Sequence, residues 1–71
     1  MEFKVNEFIA YCLEMYAKRH GISGVKAFGL FNECGIIEDL LKHYEMLHTQ
    51  GEGYIIPTID EWISRARGAV Q

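Results

Sequence analysis

From Val5 to His20 the apolar residues Val5, Phe8, Ile9, Cys12, Leu13 and Tyr16 recur at steps of three and four. That spacing lines one face of an α-helix. Gly21 follows as a left-handed stop, and Lys18, Arg19 and His20 fill the last turn, where positive charge meets the negative end of the helix dipole. A second stripe, Ala27, Leu30, Phe31 and Cys34, widened by Val25 and Phe28, begins after Ser23 and closes at Gly35. The Ser23 hydroxyl is placed to cap it. Gly29 inside this helix costs about 1 kcal/mol relative to alanine, which is tolerable where a neighbouring helix approaches closely.

The third predicted helix runs from Ile37 to Thr49, with Ile37, Leu40, Leu41, Tyr44, Leu47 and His48 on one side and Gly51 as its stop. Glu38 and Asp39 occupy its first turn, where the dipole favours them. Tyr54, Ile55 and Ile56 form a short apolar run bounded by glycine and proline, which predicts an extended connector packed on the bundle. Thr58 and Glu61 have capping-box spacing, so a fourth helix is predicted from there, with the stripe Ile59, Trp62, Ile63 and Ala66. Gly68 supplies its exit before a frayed tail, Ala69, Val70 and Gln71. The expected fold is all-α: a compact bundle of four short helices, with a short extended connector before the last, making one domain over residues 1–71.

Size and charge narrow what such a bundle does. A chain of 71 residues buries only about 60% of the surface its unfolded form exposes, so most large apolar residues are needed in the core. A hydrophobic share of 49% with one proline separates it from disordered chains. The formal net charge of −3 offers no general attraction for a nucleic-acid backbone. No apolar run approaches the roughly 20 residues that cross a bilayer, and Met1-Glu2-Phe3-Lys4 lacks a signal-peptide core, so a cytoplasmic protein without a membrane anchor is expected. Cys12 and Cys34 fall on apolar helix positions and read as two buried thiols, with no Cys-x-x-Cys spacing to mark redox chemistry.

Candidate chemistry is sparse. His43 and His48 stand five residues apart and diverge on a helix, so they do not form a metal-ligating pair. His48 is expected either to bond a carbonyl near its helix end or to pack its ring against the core. The carboxylates are scattered as helix-start or solvated charges, Ser64 has no histidine at useful spacing, and the glycines mark boundaries without forming a phosphate loop. Neither a catalytic set, a metal site nor a cofactor site is nominated, and the chain is expected not to be an enzyme. Two helices meeting at Cys34-Gly35-Ile36 allow a helix-turn-helix regulator as the alternative, although Glu38, Asp39 and Glu45 would face phosphates with like charge. The aromatic residues, one tryptophan, four tyrosines and four phenylalanines, exceed what short stripes hide. Tyr11, Phe28, Tyr54 and Trp62 are therefore candidates for an interface, each with core packing as the other reading.

Several segments together resemble a family of short bacterial proteins, the domain-of-unknown-function family 3791. They are Phe8 to Glu14 with Tyr16, His20 to Gly24, Leu30-Phe31 followed by Gly35 to Ile37, and Tyr44-Glu45-Met46-Leu47-His48-Thr49-Gln50-Gly51. The ending, Tyr54 to Ile56 and Ile59 to Ile63, is similar as well. The likeness spans nearly the whole chain, and its most specific part is Leu47 to Gly51. It implies an antitoxin-like or regulatory binder of a neighbouring gene product, with an ADP-ribosyltransferase-like protein as the expected partner; homodimerisation is a separate expectation, resting on the surplus of aromatic residues. Tyr44, Leu47, His48, Thr49, Gln50 and Gly51 are thus either an interaction motif or a structural helix end in which His48 and Thr49 satisfy late carbonyls. Both readings make a β-branched residue at Gly51 costly.

Overall fold

A computed structural model describes residues 4–68, all of whose regular structure is helical. The predicted frayed tail, Ala69 to Gln71, and the start Met1 to Phe3 lie outside the described residues. Five helices follow in order: α1 (Val5–His20), α2 (Gly24–Cys34), α3 (Ile36–Lys42), α4 (Tyr44–Leu47) and α5 (Glu52–Gly68). None is long and apolar enough to cross a membrane among these residues.

The first two helices end where their glycines allow. Gly21 takes φ 63°, its N–H donates to the Lys18 carbonyl at 3.3 Å, and the Ile22 N–H donates to the Ala17 carbonyl at 3.0 Å. This pair of bonds is the Schellman arrangement, which reverses the chain while satisfying two carbonyls. At the start of α2, the Ser23 hydroxyl accepts from the Lys26 N–H at 3.1 Å. Gly35, at φ 69°, closes α2 and directly precedes Ile36, and its carbonyl accepts from the Asp39 N–H at 3.2 Å. One residue therefore serves as both the end of α2 and the beginning of α3.

The expected helix from Ile37 to Thr49 is divided. His43, at φ −107° and ψ 15°, leaves the helical region, and α3 and α4 stand on either side of it. Bonds from the His43 N–H to the Asp39 carbonyl and from the Leu47 N–H to the His43 carbonyl still step by four residues across the break. Leu40 and Leu47, both fully buried, consequently stay on one side of the chain.

The larger correction concerns residues 52–58. The expected extended connector Tyr54-Ile55-Ile56 instead lies within the first two turns of α5, and Thr58 is not its cap. The helix begins seven residues earlier than a cap at Thr58 predicts, at Glu52 instead of Ile59, with the Gly51 carbonyl accepting from the Tyr54 and Ile55 N–H groups at 3.0 and 3.1 Å. The Thr58 hydroxyl donates to the Tyr54 carbonyl at 2.8 Å, as a mid-helix threonine does. Burial explains the outcome. Ile55, Ile56, Ile59 and Ile63 are all buried, at the spacing of one helical face, whereas an extended run would send Ile55 and Ile56 to opposite sides. That shared burial outweighs the helix-breaking tendencies of Gly53 and Pro57, the latter inside α5 with its ring exposed.

The buried residues form one apolar cluster, to which α1 contributes Phe8, Cys12, Met15, Tyr16 and Ala17, and α2 Ala27 and Phe31. Ile36, Leu40 and Leu47 join from α3 and α4. No buried polar or charged side chain interrupts it among the described residues. The stripes nonetheless reach beyond what is covered: Val5, Leu41 and above all Val25, assigned to helix faces by their spacing, are 37%, 49% and 84% exposed.

Replacing Gly21 or Gly35 with alanine is expected to lower unfolding free energy by about 1–2 kcal/mol each, because a β-carbon is strained at positive φ. Gly51 is not left-handed and has open space where a β-carbon would sit, so left-handed backbone strain is not a reason for a side chain there to be costly. Urea denaturation of Gly51→Ala should show a loss below about 1 kcal/mol. Pro57→Ala restores an N–H for the Gly53 carbonyl and should raise stability by about 1–2 kcal/mol in the same assay.

Candidate functional site

The segment Tyr44 to Gly51 is knit into itself and onto α1. Tyr44 is half-buried, its ring set edge-on to Phe8 at 5.3 Å and stacked on His48 at 4.6 Å with 13° between planes. His48 Nδ1 lies 2.9 Å from the Tyr44 carbonyl. A carbonyl only accepts, so Nδ1 carries the proton and Nε2 is left as the other ring nitrogen. The Thr49 hydroxyl donates to the Met46 carbonyl at 3.1 Å, and the Gln50 N–H to the Leu47 carbonyl at 2.9 Å. Leu47 is core, whereas Thr49, Gln50 and Gly51 are exposed. Of the two arrangements open to His48, it adopts the carbonyl bond, with its ring on Tyr44.

The candidate aromatics are dispersed. Tyr54 and Phe28 are each 47% exposed, on α5 and α2, and Tyr11 on α1 is 37% exposed. Trp62 is half-buried against the core, with the His43 ring 5.5 Å from its own. The Tyr54 hydroxyl donates to the Met46 sulfur at 3.8 Å, and Met46 is itself 45% exposed. Met46 escaped the sequence reading because its position falls off the predicted apolar stripe. Only the fold brings it beside Tyr54.

A family model described as "Protein of unknown function (DUF3791)" matches residues 7–65. The chain belongs to the DUF3791 family. No curated protein and no solved structure matches it.

Among the described residues of this DUF3791 protein, no three His, Cys, Asp or Glu side chains gather so as to hold a metal ion. His43 shares an open hollow of about 430 Å³ with Cys34, Asp39, Trp62 and Arg65. His20, at the end of α1, contacts Asp60 of α5 at 2.9 Å and lays its ring on Tyr16 at 4.3 Å between centroids. Arg19 reaches Glu52 at 3.4 Å, a second tie between the same two helices. Both contacts are exposed, so they fix geometry more than they stabilise.

The cysteines differ. Both are free, but only Cys12 is buried, and Cys34 is half-buried, which corrects the expectation of two buried thiols. The apolar surroundings push the Cys12 thiol up to about 12 from 9.0. Tyr16 is raised as well, first by burial and then by the nearby Asp60 carboxylate. For both groups the folded state holds its proton after the unfolded chain has lost it. Stability is therefore complete below the unfolded value and declines as pH climbs.

Urea midpoints should accordingly be flat below about pH 8 and fall from pH 9 towards 12. Cys12→Ala should lessen that slope. At pH 8 a thiol reagent should modify one cysteine, Cys34, in the native protein and both in urea. Equal reactivity of the two native thiols would contradict the burial assigned to Cys12.

Proposed function

We propose that the chain is a non-enzymatic protein-interaction module that binds a neighbouring gene product through the corner where α4 meets the start of α5. The observation that carries this reading is the Met46–Tyr54 pair, two large side chains in mutual contact and each nearly half exposed. A domain this small has little apolar surface to spare, so an uncovered pair of this kind is costly unless a partner covers it. Methionine and tyrosine are both enriched at the centres of protein interfaces.

The pair rests on a rigid base. The Phe8–Tyr44–His48 ring stack and the carbonyl bonds of His48 and Thr49 hold the helix end beneath it, so binding would order few additional side chains. In this reading Leu47 to Gly51 supports the contact surface, and Gln50 is free to reach a partner. The family resemblance suggests the partner class, an ADP-ribosyltransferase-like protein, and hence an antitoxin-like or regulatory role. The helix-turn-helix alternative is the weaker one. Gly35 alone joins α2 to α3, where such motifs use three or four residues, and the would-be recognition helix has Glu38 and Asp39 in its first turn.

Co-expression with the products of the adjoining genes, followed by light scattering on the purified peak, tests the proposal. A stable hetero-complex is expected, and Tyr54→Ala or Met46→Ala should weaken it at least about tenfold while leaving the unfolding midpoint nearly unchanged. His48→Ala should instead lower the protein's own stability by about 1 kcal/mol. Capture of none of these products, together with a salt-sensitive gel shift on the gene's upstream DNA, would replace this reading with the regulator.

A further inference from the structure

Two hollows flank a single ridge on the outer side of α1. One, of about 160 Å³, is bordered by Tyr11, Met15 and Glu52. The other, of about 530 Å³, follows the seam between α1 and α2 and has a largely apolar lining from Ala10, Leu13, Ala17 and Ile22. Glu14 and Lys18 border both, and both side chains are exposed. They stand four residues apart with the glutamate first, the order that favours an ion pair within a helix. Even so, among the described residues neither enters an ion pair, while Arg19 next to them is engaged by Glu52. The ridge thus presents one available charge of each sign, separated by about 6 Å of helix rise, beside an uncovered apolar seam.

We propose that this face of α1 binds a second copy of the chain, with the two α1 helices antiparallel about a two-fold axis. The charge pattern selects that occupant. A two-fold contact sets the same surface against itself, so a ridge carrying one charge of each sign becomes its own complement. Glu14 of each copy meets Lys18 of the other, and one arrangement yields two equivalent pairs. The register that does this is centred at the level of Tyr16, and it brings the turn after α1, which carries Ile22, to the Ala10 end of the second copy's helix. Ile22 then covers the small side chain of Ala10, and the seam is closed from both ends. The small, exposed side chain at position 10 lets the helix axes come within about 8 Å, while Ala17 lies buried at the floor of the seam. Exposed ion pairs add little attraction, so apolar burial holds the copies together and the charges fix direction and register.

A contact built on one helix pair lies at the small end of specific interfaces, below about 1,200 Å² in total, so the dimer forms reversibly as concentration rises. This surface is separate from the Met46–Tyr54 corner. Its fate is read from the isolated protein, whatever the outcome of the co-expression experiment.

Sedimentation equilibrium from low micromolar to near-millimolar concentration tests it, with circular dichroism confirming that each variant keeps its helices. The wild-type mass should rise from the 8.2 kDa of one chain towards twice that value. Glu14→Lys and Lys18→Glu, each alone, should remain monomeric, because every cross-pair becomes like-charged. An equimolar mixture of the two should recover the dimer, since one copy then carries lysine at both positions and the other glutamate at both. The double variant Glu14→Lys/Lys18→Glu should dimerise as the wild type does. A wild type that stays monomeric at the highest concentration overturns the proposal. So does a dimer indifferent to the single changes, or a mixture that fails to rescue.

Discussion

The fold depends on one apolar face, that of Ile55, Ile56, Ile59 and Ile63, being presented whole to the cluster that contains Phe8, Phe31 and Leu40. A chain of 71 residues has few ways to exclude enough water, and these four isoleucines are buried together only if α5 is helical from its first turn. Once that is required, other features follow. The backbone accepts a proline within a helix, Gly51 yields its carbonyl to two N–H groups, and Arg19 meets Glu52 because α5 starts early enough to bring it there.

The same requirement separates the parts of the fold that were legible in the sequence from those that were not. At α1 and α2, local signals agree with tertiary packing: period, Ser23 cap and two left-handed glycines all point to the boundaries observed. Around residues 51–58 they disagree. Gly53, Pro57 and the spacing of Thr58 and Glu61 all argue for a helix start near Thr58, and the burial of Ile55 and Ile56 prevails. The break at His43 carries no sequence signal of its own, since a histidine followed by tyrosine fits a continuous helix.

The candidate site was legible in its scaffold and not in its surface. His48 and Thr49 bonding to late carbonyls follows from their place at a helix end. Periodicity names the side of a helix that faces inward, but not how much of that side its neighbours cover, so Leu41 and Val25 carry apolar spacing and remain exposed. The Met46–Tyr54 contact depends on the turn between α4 and α5, which the sequence reading draws in the wrong place. Cys12 and Cys34 are alike on a helical wheel, yet one is sealed and the other borders an open hollow.

Gly35 has a further meaning as the lone residue between two helices. With no slack on either side, α2 and α3 are phase-locked: each residue added or removed there would rotate α3 by about 100° relative to α2. Ile36 and Leu40 would swing away from the core together. At this point the count of residues matters as much as their chemistry, and the fold tolerates a change of side chain far more readily than a change of length.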